Sequence, residues 1–300
     1  MLDYPALAAV NAVIREGSFD RAADALGITA SAVSQRVRGL EERLGSILIT
    51  RGQPCIPTEA GAALCAHFDR VQLLESDLGP LIGAQPGPAG TPVTLRIAVN
   101  PDSLASWFAP AAGQFARQTG LLLDLILDDE AHTADRLRSG QVLAAVTSDA
   151  EPVQGCKTIP LGQLTYRACA TPDFLARHFP TGVDGDSLGR APVLQFDRRD
   201  GLQNRWAREM CGVDLRAPTH WVPSTQGFID LTRAGVAWGL HPEPLVRDAL
   251  ATGHMVELLP DRPLMVQLYW TVARLPASPL RALTDAVRAT AARSLSSICE

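Results

Sequence analysis

Between Ser18 and Gly45 the chain reads SFDRAADALGITASAVSQRVRGLEERLG, and its polar groups fall at helical spacing. Val33, Val37, Leu40 and Leu44 make one apolar stripe, so Ser31, Ser34, Gln35 and Arg38 look outward, with Arg36 alongside. No acid joins that face before Glu41. Short hydroxyls, an amide and guanidinium groups suit base edges and phosphates in a DNA major groove. Ser18 caps a preceding helix whose buried face is Phe19, Ala22, Ala23 and Leu26. Gly27 permits the positive φ of a tight turn, and Thr29 or Ser31 caps the second helix. A generic pair of helices with a polar outer face would show the same spacing.

A second chemistry is spread over the C-terminal two thirds. In open α/β sheets, ligands sit beyond the carboxyl ends of strands, where helix N-termini offer unpaired amides. Three places qualify as seats for a carboxylate: Asn100, Asp102 and Ser103 after a strand at 93–99, Thr147 and Ser148 ending a strand at 142–147, and Ser224 and Thr225 opening a helix at 226–234. Helix capping alone would also explain each. Acidic Asp128, Asp129 and Glu130 follow a strand at 121–127, with Asp102 and Asp197 as further carboxylates. Acids at one end and hydroxyl and amide donors at the other suit a zwitterion with a cationic side chain, because a cation leaving water needs a partner. As a plain surface feature, the triplet would be a solvated loop.

Enzyme chemistry finds little support. Gly185-Asp186-Ser187-Leu188 matches a short serine-esterase signature, but it follows a loop and lacks a downstream Asp-x-x-His. HExxH, P-loop and GxGxxG patterns are missing. His132, His178, His241 and His254 lie far apart, and the six cysteines are scattered without a CxxC, so neither a metal nor another cofactor is expected.

The elements that must position these groups divide near residue 90. Helical patterns precede it, including one from 58 to about 82 in which Leu64, Phe68, Val71, Leu74, Leu78 and Leu81 form a coiled-coil-like seam. The Pro- and Gly-dense stretch at 85–92 reads as a hinge. Beyond it, β-like runs at 93–99, 121–127, 142–147, 164–170, 193–196, 236–240 and 264–270 alternate with helices, as in a two-lobed α/β domain whose last strand returns to the first lobe. Length, 46% hydrophobic and 20% charged residues fit a multidomain globular protein. The N-terminus has no basic leader and no stretch is long and apolar enough for a bilayer, which suggests a cytoplasmic protein without membrane contact. A net charge of −5 means that DNA binding must come from local arrangement.

The run AADALGITASAVSQRVRGLEERLGSILITRG, followed by PTEAG, closely resembles the N-terminal domain of LysR-type transcriptional regulators. The resemblance implies a winged helix-turn-helix over 1–58, a linker and dimerisation helix with hinge over 59–90, and an effector-binding domain over 91–300 resembling periplasmic binding proteins. Its first lobe would comprise about 91–160 and 265–300, and its second about 161–264. Residues 47–50 and 55–57 would form the wing, with Arg51 on a phosphate. Ser18 and Arg36 would also meet phosphates, while Ser34, Gln35 and Arg38 read bases. ILITRG and PT depart slightly from the family's usual wing and linker residues. The phrases NPDSLASWF and DDEAHTADRLRSGQV are similar to the subgroup that controls basic amino-acid export and answers to lysine or arginine. Expected partners are a double-stranded DNA operator, further copies of the chain as dimer and tetramer, and RNA polymerase for an activator. A regulator of another operon with a different carboxylate effector, a ligand-independent chromosome-binding protein and a pure ligand-binding module are the alternatives. Arg198, Arg199 and Arg205 would repel a cationic ligand if they faced the cleft.

Overall fold

The computed structural model describes residues 2–82, 93–127 and 130–297. The expected hinge at 85–92 and the acids Asp128 and Asp129 lie outside the described residues.

Helices α1 (Tyr4–Glu16), α2 (Phe19–Leu26) and α3 (Ala30–Leu44) precede a hairpin of β1 (Ile49–Thr50) and β2 (Ile56–Pro57), and then a long helix α4 (Glu59–Ile82). Gly27 and Gly45 end α2 and α3 at φ 63° and 64°, a conformation that side chains with a Cβ seldom adopt. Leu7, Val10, Val13, Ala22, Val33, Val37, Leu40 and Leu48 form the core between them. Leu44, expected in that stripe, is 44% exposed, because it occupies the last turn of α3 where Gly45 turns the chain away. The Glu41 carboxylate accepts the Leu48 amide at 2.8 Å and so ties α3 to the wing. Thr58 caps α4 by accepting the Gly61 amide at 3.1 Å. A Cβ at Gly61 would stand 2.0 Å from the Leu48 carbonyl oxygen, so this contact admits glycine alone.

Helix α4 packs into two cores, the first through residues of the expected seam and the second through Leu73, which lies outside that seam. Leu64 and Phe68 pack into the winged-helix core, while Leu73 is buried in the core of the C-terminal half. Leu74 is 37% exposed. Asp69 accepts from Asn11 and Arg15, each at 2.9 Å, and Asp77 accepts the Ser278 amide at 2.8 Å. The helix therefore holds both halves of the chain.

The C-terminal half continues as β3 (Thr94–Val99), α5 (Pro101–Ser103), a π-helical turn (Leu104–Phe108), α6 (Ala109–Thr119), β4 (Leu122–Leu127), α7 (Glu130–Ser139) and β5 (Ala144–Thr147). Next come β6 (Cys156–Ala170), α8 (Pro172–His178), α9 (Gly185–Arg190), β7 (Val193–Gln195), α10 (Leu202–Cys211), β8 (Thr219–Trp221) and α11 (Thr225–Arg233). The last elements are β9 (Gly239–Pro242), α12 (Glu243–Ala251), β10 (Val256–Glu257), β11 (Leu264–Ala273) and α13 (Ser278–Ser294). One sheet runs β10-β6-β11-β5-β3-β4, with β9 also on β6. Its β3 lies parallel to β4 and β5, whereas β11 is antiparallel to β5 and β6.

Strands β6 and β11 pair from Ala273↔Cys156 to Leu264↔Tyr166 and thread both lobes. The N-terminal part of β6 lies in the first lobe, and its C-terminal part carries β9 and β10 of the second. Only 164–170 of this long strand was expected; the part before it holds Pro160 and Gly162, residue types that usually interrupt strands. Both sit where the register shifts between Leu268 and Tyr269, and Gly162 there has φ 131°. The run at 236–240 instead begins its strand at Gly239, with Trp238 bridging Val193, because Gly235 still belongs to the turn after α11.

Trp107, Trp206, Trp238 and Trp270 are fully buried, and Trp221 is 43% exposed with the Arg198 guanidinium 4.9 Å above its ring. Among the described residues, no helix is long and apolar enough to cross a membrane.

Candidate functional site

On α3, Ser31, Gln35, Arg36 and Arg38 are exposed and Ser34 is half-buried. Residues 31, 34, 35 and 38 share one helix face by spacing, and the first turn carries no acid. Thr29, rather than Ser31, is the cap, accepting the Ala32 amide at 3.2 Å. Ser18 accepts the Arg21 amide at 3.2 Å. A capping hydroxyl that accepts an amide keeps its own proton for another acceptor. Arg51 is exposed at the end of β1, its guanidinium 5.1 Å from the centre of the Phe19 ring.

In the C-terminal half, a cavity opens where the lobes meet. Asp102 stands beside it on α5, set there because Asn100 caps the short helix, accepting the Ser103 amide at 2.7 Å. One Asp102 oxygen accepts from Tyr166 Oη on β6 at 2.9 Å, and the other accepts from Thr225 Oγ1 on α11 at 3.0 Å. A single carboxylate thus joins the first lobe, the crossover strand and the second lobe. Removal from water raises the Asp102 carboxyl above the usual range, against the two hydroxyl bonds, and nearby Asp200 raises it further.

Asp200, Gln203 and His241 line the same cavity with Thr225, Phe196 and Phe228. Asp200 accepts the amides of Phe196 at 2.8 Å and Leu202 at 3.1 Å. Burial, with a smaller contribution from Arg233, pushes His241 down to about 3, so its imidazole adds no positive charge at neutral pH. It shares a 3.0 Å hydrogen bond with Thr232. Gln203 is buried, and its Oε1 has no hydrogen-bond partner among the described residues; the buried Ser103 Oγ is likewise unpaired. Unfilled acceptors in such a place are costly unless a guest supplies donors.

Of the sequence-predicted effector residues, Asp102 and Thr225 meet directly, with Asn100 and Ser103 supporting the turn that carries Asp102. Thr147, Ser148, Ser224 and Asp197 do not join them. Thr147 accepts the Asp149 amide, Ser224 caps α11 by accepting the Gly227 amide, and Asp197 accepts the amides of Arg199 and Asp200 in a tight turn. Ser148 is half-buried after β5, and Glu130 opens α7. Asp200, Gln203, Tyr166 and His241 were not foreseen. Gln203 had a weak signal, an amide in the first turn of the helix after a turn-forming Asp-Gly pair. The esterase-like Ser187 hydroxyl bonds the Asp184 amide at 2.9 Å in a capping box, a structural task.

Residues 5–62 match the bacterial regulatory helix-turn-helix protein model of the lysR family, and residues 88–292 match the LysR substrate binding domain. The chain belongs to the LysR family of DNA-binding transcriptional regulators. Within it, the HTH-type transcriptional regulator ArgP of Pseudomonas fluorescens is 46% identical over 270 residues, 90% of each chain. The regulator LysG of Mycobacterium bovis is 40% identical over 290 residues, 97% of this chain and 94% of that one. The crystal structure of ArgP from Mycobacterium tuberculosis aligns over 99% of this chain and 100% of its own, with a TM-score of 0.80 and 38% identity. Full-length LysG from Corynebacterium glutamicum with bound effector Arg aligns over 98% and 100%, with a TM-score of 0.68 and 37% identity.

Proposed function

We propose that this regulator answers to a basic amino acid, lysine or arginine, and as an activator controls a gene for basic amino-acid export. The observation that carries the ligand class is the acceptor-rich cavity. Two carboxylates and an unpaired amide oxygen converge there beside a neutral imidazole, which suits a guest rich in N–H donors. The arginines that raised the opposite expectation do not line it. Arg198 lies over Trp221, Arg205 pairs with Glu209 at 2.7 Å, and Arg199 is exposed on the turn. The arginine held by the 37% identical LysG supports the same class.

Ser18, Arg36 and Arg51 contact phosphates and Ser34, Gln35 and Arg38 read bases, with α4 pairing two copies and tetramers spanning several half-sites. Ligand entry between Asp102 and Thr225 changes the lobe angle, and α4 passes that change to the DNA-reading pair. Such coupling is commonly worth about 1–3 kcal/mol. Neither catalysis nor a cofactor belongs to this function, and it is carried out in the cytoplasm.

Calorimetric titration of the full-length protein with arginine, lysine and leucine tests the ligand class. Saturable binding of a basic amino acid, with none of leucine, is the expected result. Silence from all three refutes the ligand class and leaves family membership untouched.

A further inference from the structure

We infer that Gln203 is the residue with which the second lobe selects the ligand's side chain, favouring a guanidinium over an ammonium. This rests on the basic amino-acid reading above. Gln203 lies in the first turn of α10 and is 1% exposed, yet its Oε1 meets no donor among the described residues. The two carboxylates along this cavity, Asp102 and Asp200, already hold donors from the chain itself. Each Asp102 oxygen holds one hydroxyl, from Tyr166 or Thr225, and Asp200 holds two backbone amides. The neighbouring walls of Phe196, Leu202, Phe228 and Leu240 are apolar and bring no side-chain donor. The donor that Gln203 lacks therefore arrives with whatever fills the cavity.

The two cationic heads differ in how far their donors reach. An ammonium carries three N–H bonds on one nitrogen, whereas a guanidinium carries five on three nitrogens in a fixed plane. Asp102 stands on the first lobe and Gln203 on the second. A guanidinium can give one nitrogen to the carboxylate and another to the amide oxygen, joining both walls at once. An ammonium that settles on the Asp102 charge leaves Gln203 wanting. Arginine thus gains a contact with the second lobe that lysine forgoes.

The test uses the full-length protein, with arginine and lysine as probes in calorimetric titrations. Gln203→Met keeps length and removes the carbonyl, while Gln203→Glu keeps an acceptor at the same place. The parent chain should bind arginine more tightly than lysine. In Gln203→Met, arginine affinity should fall about ten- to a hundredfold and lysine affinity less than about threefold. Gln203→Glu should retain the arginine preference, a rescue that a purely structural role would not produce. An unchanged arginine-to-lysine ratio in Gln203→Met overturns the inference, whether both affinities fall or neither does. If Gln203→Met shows no cooperative melt, Gln203→Glu decides alone, and loss of the preference there overturns it. A parent chain that binds lysine as tightly as arginine also overturns it, leaving the basic amino-acid reading intact. A parent that binds neither removes that reading and this inference together.

Discussion

Replacing Asp102 with asparagine removes one charge and almost no volume. In the structure each carboxylate oxygen accepts a single hydroxyl, at 2.9 Å from Tyr166 and 3.0 Å from Thr225. Asparagine keeps one acceptor and turns the other position into a donor, so one hydroxyl must rotate and accept instead. Each bond drops from the charge-assisted range of about 1.5–3 kcal/mol toward about 0.5–1.5 kcal/mol. Against that loss, a desolvated charge close to Asp200 disappears. These opposed changes should leave stability within about 1 kcal/mol, a shift of roughly 2–4 °C in melting temperature for a domain of this size. Ligand binding has no such compensation. A cation that loses its largely desolvated carboxylate forfeits about 2–4 kcal/mol, or about 30- to 1000-fold in Kd. Calorimetry with arginine, alongside thermal melting of the same sample, reads both quantities. An Asp102→Asn protein that melts normally and binds arginine within about threefold of the parent would refute the placement of the cation on this carboxylate.

Three other outcomes follow from the same geometry. The ionised Asp102 carboxylate is disfavoured in the fold by burial, so its contribution to stability is present below the ordinary carboxylate pKa and lost as pH rises through the raised one. A cationic ligand takes the ionised form, so arginine affinity should increase with pH across that window, and titration in buffers of different ionisation heat should show proton release. His241 acts in the opposite sense: held at about 3 in the fold against 6.5 outside it, it should erode stability as pH falls below 6.5, and His241→Gln should flatten that part of the melting profile. On DNA, Gln35→Ala should cost about 1–3 kcal/mol and relax specificity at one position, whereas Arg51→Ala should weaken all sequences alike and lower the salt slope by about 1. Binding isotherms at several salt concentrations separate the two effects.

How legible each part was depended on how local its determinants are. Ser18, Gly27, Thr29 and Gly45 act on neighbours within a turn, so helix ends in the DNA-reading half could be placed from residue type alone. Phe68 was harder, because the same spacing serves a seam between copies or a face packed on its own domain, and here it packs inward. The cavity depended on distant pairings. Asp102 and Thr225 are 123 residues apart, and Tyr166 reaches them because β6 runs through the break that Pro160 and Gly162 imitate. The segment from Asp197 to Gln203 misled most. Its arginines dominated the reading by charge, yet the backbone turn sends them outward and directs Asp200 and Gln203 to the cavity.

All five tryptophans lie beyond residue 100, and four are sealed inside the C-terminal half. The DNA-reading half has none, so under red-edge indole excitation it is optically dark. Emission from the intact regulator therefore reports on the ligand-sensing half alone, even on a promoter fragment. Trp221, beneath Arg198 on the strand leading into α11, is the one indole that water can reach. An added aqueous quencher would see chiefly this residue against a blue, shielded background from the other four. The native chain thus carries its own fluorescent gauge of the second lobe, with no label to attach.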